Sequence, residues 1–203
     1  MQNFYTNLPF LTDKVVPLWC QPKMTSVQTI TNREKSSFEA AKVIGLISDT
    51  HVPKRAMRIP QKVFEVLKDA DFIIHAGDLV ELSVIDELEQ IAPVLAVHGN
   101  MDSQEVNSAL PELNSLKIFD WKIGVMHDPN VLQGSGKMVE IVKEKGFNVF
   151  VYGHTHAPKI KWEEKNLFIN PGSPTDPASF INQPSVGLLK ITKQAITPQI
   201  INL

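Results

Sequence analysis

Apolar and polar positions settle into short regular blocks from Lys42 onward. Val43-Ile44-Gly45-Leu46-Ile47-Ser48 is a compact apolar run and predicts a buried strand that ends at Asp49-Thr50-His51. After Pro60, which suits a first helical turn, Val63, Phe64, Val66 and Leu67 recur at helical spacing and predict a helix over 61–68. A second apolar strand over 71–76 ends at Gly77-Asp78, and an amphipathic helix follows over 82–91. A third strand over 93–97 ends at Gly99-Asn100. Strand, helix, strand, helix, strand is the order of right-handed βαβ units on a parallel sheet.

The second half is richer in strands. Segments 116–119 and 122–126 flank Asp120-Trp121 as a hairpin whose second arm ends at His127. A helix over 136–144 is closed by Gly146 as its C-cap. The run Val149-Phe150-Val151-Tyr152 predicts a buried strand that delivers Gly153-His154-Thr155-His156. A further hairpin over 160–162 and 167–169 leads into the turn Asn170-Pro171-Gly172-Ser173, and 186–191 and 195–201 supply the last strands. The expected architecture is α/β, with two packed sheets and helices outside.

Residues 1–40 show no sustained periodicity and are rich in Thr, Gln, Asn and Ser. They read as an N-terminal arm ahead of one domain over 41–203, either disordered or docking a partner subunit through Phe4, Tyr5, Leu8, Phe10 and Trp19. The second alternative leaves a homo-oligomer open. Trp19, Trp121 and Trp162 otherwise read as packing residues.

Composition narrows the class. Hydrophobic residues are 43%, charged residues 21%, and the formal net charge is -2, as in an ordinary globular protein. Without a run of Lys or Arg, nothing favours a general nucleic-acid or acidic-membrane binder. No apolar run approaches the roughly 20 residues of a membrane span. The first 22 residues are broken by Pro9, Asp13 and Pro17 and lack a basic start, so a cytoplasmic protein is expected. Cys20 is the single cysteine, so no disulfide forms within the chain and any metal site must use O and N ligands.

The chemistry lies at the strand ends, where open α/β sheets bind ligands. They carry Asp49 and His51, Asp78, Asn100, His127, and His154 with His156. All 6 histidines, His75 and His98 included, fall in or within three residues of these segments. Two carboxylates, an amide and four imidazoles suit divalent Mn, Fe, Ni, Co or Zn rather than Ca. A water bridging two such ions is a nucleophile near neutral pH and suits in-line displacement at phosphorus.

The motifs Asp49-x-His51, Gly77-Asp78, Gly99-Asn100, His127 and Gly153-His154-Thr155-His156 resemble those of the calcineurin-like metallophosphoesterase superfamily. His98-Gly99-Asn100-Met101-Asp102 and Asn170-Pro171-Gly172-Ser173 are similar to its small bacterial and archaeal phosphodiesterase family, which also resembles the retromer subunit of this fold. The resemblance spans 43–203. It implies a four-layer α/β/β/α sandwich. It also implies a hydrolase that cleaves phosphodiester bonds of a small-molecule phosphoester by in-line attack of a metal-bound hydroxide. By the same resemblance, Asp49, His51 and His156 hold one metal ion, Asn100, His127 and His154 hold the other, and Asp78 bridges them. Asp78, Asn100 and His127 are then the residues closest to the chemistry. A protein-binding scaffold of the same fold is the alternative, as the retromer subunit illustrates. A DNA-repair nuclease of the superfamily finds no support, with neither an extra domain nor a basic surface signal.

Two departures stand out. Met101 occupies a position where many superfamily members carry a leaving-group histidine, so the motif supplies no evident general acid. His127-Asp128-Pro129 replaces the His-Gly-His of many relatives. Among neighbouring residues, His75 reads as a satisfied core histidine or one that supports a ligand, and Asn170 is open between lining the cleft and shaping the Asn-Pro-Gly turn. His98 is open between packing and ligand support, Asp102 between orienting a ligand and capping the following segment, and Asp128 between supporting a ligand and pointing away.

Overall fold

The structure, a computed structural model, describes residues 41–129, 136–179 and 182–203. The arm and its aromatic residues, with Cys20, lie outside the described residues. The first sheet has the order β10-β9-β1-β2-β3, from β1 (Lys42–Ile47), β2 (Phe72–His75), β3 (Val94–Ala96), β9 (Ser185–Ile191) and β10 (Ile196–Asn202). β1, β2 and β3 run parallel, joined by crossovers through α1 (Gln61–Leu67) and α2 (Ser83–Leu88). β9 and β10 extend the sheet antiparallel on the other side of β1. The second sheet has the order β4-β5-β6-β8-β7, from β4 (Leu113–Ile118), β5 (Trp121–Met126), β6 (Val149–Val151), β7 (Lys159–Glu163) and β8 (Asn166–Asn170). Two more helices are α3 (Gln104–Ala109) and α4 (Gly136–Lys145).

Strand alternation builds the layers. Ile44, Leu46 and Ile74 face Ile123, Val125, Val149, Val151 and Ile169 of the second sheet, forming the apolar seam between the sheets. The opposite face of the first sheet turns Ile47 and Ile73 onto Val63 and Leu67 of α1, Val84 and Leu88 of α2 and Val106 of α3. Phe150 and Phe168 on the outer face of the second sheet pack under Met138 and Val142 of α4. The result is the expected α/β/β/α sandwich. Parallel strands buried on both faces read as continuous apolar runs, which is why 43–48 and 149–152 stand out in the sequence.

The differences from expectation are local. The helix expected over 82–91 closes at Leu88, and the chain continues as turns. The strand expected to reach Phe119 stops at Ile118, because Phe119 takes a left-handed φ of 52° to turn into β5. Trp121 is tied down by its indole N–H, which donates to Thr192 O at 2.8 Å. Trp162 on edge strand β7 is 50% exposed and is not a packing residue. Among the described residues no helix is long and apolar enough to cross a membrane.

Candidate metal centre

The loops after β1, β2, β3, β5 and β6 converge beyond the carboxyl ends of these strands. They bring all seven candidate ligands into one run of contacts. His154 Nδ1 lies 3.0 Å from Asn100 Oδ1, and that oxygen lies 3.1 Å from His127 Nε2. His127 Nε2 lies 3.2 Å from Asp78 Oδ2, which lies 3.8 Å from His51 Nε2. His51 Nε2 meets His156 Nε2 at 3.1 Å, and His156 Nε2 stands 3.4 Å from Asp49 Oδ1. Asp49, His51, Asp78 and His127 are buried, His154 and His156 half-buried, and Asn100 exposed. The imidazoles form two pairs, His51 with His156 and His127 with His154, with ring centroids 5.0 and 5.3 Å apart. Asp78 lies between the pairs.

The backbone is bent hard to achieve this. Asp49, His51, Asp78, His154 and His156 all adopt left-handed φ, between 46° and 67°. Val80, a β-branched residue, does so at 79°. Each such residue costs of order 1–3 kcal/mol and persists only where its surroundings impose it. The imposing contacts are present. His51 N–H donates to Asp78 O at 3.0 Å, and the carboxylate of Asp49 accepts His154 N–H at 3.0 Å. Gly99 leaves room for this packing, since a Cβ there would sit 2.2 Å from Asp78 Oδ1.

Supporting residues fix the ligands. His127 Nδ1–H donates to Ala76 O at 2.8 Å, and His156 Nδ1–H donates to the carbonyl of Asp176. A carbonyl only accepts, so both rings turn Nε2 inward, as metal-binding imidazoles do. Asp102 accepts the N–H groups of Asp78 at 3.2 Å and Gly99 at 2.7 Å, and also that of Val80. It clamps two ligand loops together. Ser103 caps α3 by accepting Val106 N–H, so the capping alternative for Asp102 is set aside. Asn170 is more than a turn residue: its amide donates to Gly153 O at 2.7 Å and Thr155 Oγ1 at 3.0 Å. Asp128 stands 3.9 Å from His154 Nε2. The backbone N–H of His98 donates to Pro111 O at 3.1 Å. Ser173, the last residue of the Asn170-Pro171-Gly172-Ser173 motif, donates to Asp49 O at 2.7 Å, and Thr175, which carries no motif signal, donates to Thr50 O at 2.8 Å.

Electrostatics follow from burial of opposite charges. Burial raises the pKa of Asp49 above the usual carboxylate range, against the pull of His127. Burial also acts to raise Asp78, but the hydrogen bond and charge of His127, the Met101 N–H and His51 outweigh it and leave it lowered. Burial acts to lower His127, yet its hydrogen bond to Asp78 and the charges of Asp49 and Asp78 push it up to about 9. Burial lowers His51. The inward imidazole nitrogens and two carboxylates fit divalent transition metals. Asp49 with His51 and His156, and Asp49 with Asp78 and His127, each place three ligand atoms within 4.8 Å of one another.

Comparison with known proteins agrees with this geometry. Residues 43–194 match the calcineurin-like phosphoesterase superfamily domain, and the chain belongs to that superfamily. A probable metallophosphoesterase of Methanothermobacter thermautotrophicus is 38% identical over 160 residues, covering 78% of this chain and 91% of the relative. A phosphodiesterase of Methanocaldococcus jannaschii is 32% identical over 161 residues, covering 74% of this chain and 94% of its own. A Vps29 of Entamoeba histolytica, solved in complex with zinc, superposes with a TM-score of 0.66 at 26% identity, covering 79% of this chain and 98% of that one. The chain is thus a phosphoesterase-family protein with the fold of Vps29, the retromer subunit.

Proposed function

We propose that this protein is a dinuclear-metal-dependent phosphodiesterase that hydrolyses small phosphoesters in the cytoplasm. The observation that carries the reading is the unbroken run of contacts of 3.0–3.8 Å through His154, Asn100, His127, Asp78, His51, His156 and Asp49. Asp49, His51 and His156 are assigned to one ion, Asn100, His127 and His154 to the other. Asp78, between the two imidazole pairs, is assigned to both. When bound, such a pair supplies an acidified water and neutralises charge in an in-line displacement at phosphorus.

The residues do the rest. Ala76 O and Asp176 O occupy the Nδ1–H groups of His127 and His156, so Nε2 is the nitrogen of each ring that would take an ion, His127 giving up its Nε2 proton as the ion binds. Asn100, the exposed member of the set, brings a neutral amide to the open side where a phosphoester arrives. The M. jannaschii phosphodiesterase supports the diester preference. The E. histolytica Vps29 complexed with zinc supports metal binding by this fold.

The test is a metal-reconstituted screen over phosphodiesters, monoesters and cyclic nucleotides, with metal content measured on the protein. We expect up to two ions per chain, loss of hydrolysis on chelation, and recovery with Mn or Ni. Hydrolysis undiminished after rigorous metal removal contradicts the mechanism. The likeness to Vps29 favours a second reading, a protein-binding scaffold. That reading gains if the metal-loaded protein turns over none of these esters.

A further inference from the structure

The four imidazoles of the centre face one another or its carboxylates, and Met101 brings a thioether to the position after Asn100. A cationic donor nevertheless reaches that position from another loop. Lys54 Nζ donates to Met101 O at 3.1 Å. The N–H of the same Met101 donates to Asp78 Oδ1 at 2.7 Å. Lys54 and Asp78 therefore hold opposite ends of one residue, next in the chain to Asn100.

The turn bearing Lys54 is fixed on several sides. Arg55 N–H closes it onto His51 O at 2.8 Å, and the Arg55 side chain meets Asp176 at 3.5 Å. Val52 forms an isolated parallel bridge with Val80, and both are buried. Lys54 is thus an exposed ammonium on an anchored turn. An ammonium has three N–H groups, so the bond to Met101 O leaves two for a substrate.

We propose that Lys54 is the catalytic donor to the leaving oxygen, the role that a histidine in place of Met101 would fill. This rests on the phosphodiesterase reading above. Oxygen from water bonds to phosphorus, and the protons of that water pass to solvent as needed to leave the monoester. The bond from phosphorus to the leaving group breaks with its electron pair going to that oxygen. The oxygen takes a proton from Lys54 Nζ, and the exposed lysine regains one from solvent. A nitrophenoxide departs readily without a proton, whereas an alkoxide needs one.

The experiment uses the full chain, metal-loaded, as the parent, Lys54→Ala and Lys54→Arg. kcat/KM is measured over nitrophenyl, phenyl and alkyl diesters, with metal per chain and melting temperature recorded for each protein. We expect Lys54→Ala to lose about a hundredfold on alkyl diesters and under about threefold on nitrophenyl diesters, with metal content and melting temperature unchanged. Lys54→Arg keeps the charge but is a far weaker acid, and should stay low on alkyl diesters. An equal loss across the series overturns the proposal, and so does full alkyl turnover in either variant. A parent without metal-dependent turnover of even nitrophenyl diesters sinks the phosphodiesterase reading first and this proposal with it.

Discussion

Asp102 Oδ2 accepts the backbone N–H of Asp78 at 3.2 Å, so the central carboxylate of the centre is held in place by a second one that touches no candidate ligand side chain. The same group accepts Gly99 N–H and Val80 N–H, where the chain takes its least favourable turn. Hydrogen bonds to a charged group contribute about 1.5–3 kcal/mol each, and unpaired buried N–H groups are costly. Asp102→Ala should destabilise the protein by about 3 kcal/mol in urea unfolding and reduce bound metal. Asp102→Asn, which keeps one acceptor oxygen, should fall between. Parent-like stability and metal content in Asp102→Ala would show that the clamp is dispensable.

The strand ends were legible because a buried parallel strand must be apolar, so a polar residue just past it stands out. Asp49, Asp78 and His154 announce themselves in this way. Thr175 and Asp176 do not, since their contacts with Asp49, Thr50 and His156 span up to 126 residues of sequence and need no special residue pattern. α3 also escaped notice. It is six residues long and buries only Val106, too little to draw an apolar stripe. The pairing of β9 with β1 likewise joins segments far apart in sequence and leaves no local pattern.

His75 gives a pH prediction. It is fully buried, its Nε2 meets Thr50 Oγ1 at 3.1 Å, and its Nδ1 has no hydrogen-bond partner. Burial lowers its pKa from 6.5 to about 3, with His127 adding to the fall. Below pH 6.5 the unfolded chain binds a proton here that the folded chain refuses. The stabilising contribution is therefore complete above about 6.5 and is lost as pH falls toward about 3, by up to ~1.4 kcal/mol per pH unit. His75→Gln does not titrate and should flatten the loss of stability between pH 6 and about 4. Parallel pH profiles for parent and variant would mean that His75 does not contribute.

Removal of residues 1–38 should leave hydrolysis within about twofold of the full chain, because terminal arms tolerate change where no site depends on them. Every candidate ligand and supporting side chain described above lies between Ser48 and Asp176. Steady-state kinetics with matched metal loading checks this, and sedimentation shows whether the arm sets the oligomeric state. If the shortened protein fails to fold, the arm belongs to the domain.

Asp78 and Asn100 should separate the two ions. Asp78 Oδ2 stands 3.8 Å from His51 Nε2 and 3.2 Å from His127 Nε2, within reach of both imidazole pairs. Among the described residues, Asn100 Oδ1 contacts the pair His127 and His154. Asp78 also carries a full negative charge in a buried position, kept ionised by His127, His51 and the Met101 N–H against the effect of burial. On the proposed dinuclear assignment, removing it would take a ligand from both ions and one of the two charges that offset them. Asn100→Ala takes a neutral ligand from one ion and leaves the charge intact. After dialysis against trace metal, Asp78→Ala should retain close to none and Asn100→Ala close to one ion per chain, as counted by elemental analysis. Asp78→Asn, which keeps the shape without the charge, should hold less metal than Asn100→Ala if charge dominates. Loss of one and the same ion from Asp78→Ala and Asn100→Ala would place Asp78 on a single metal and remove it from the bridge.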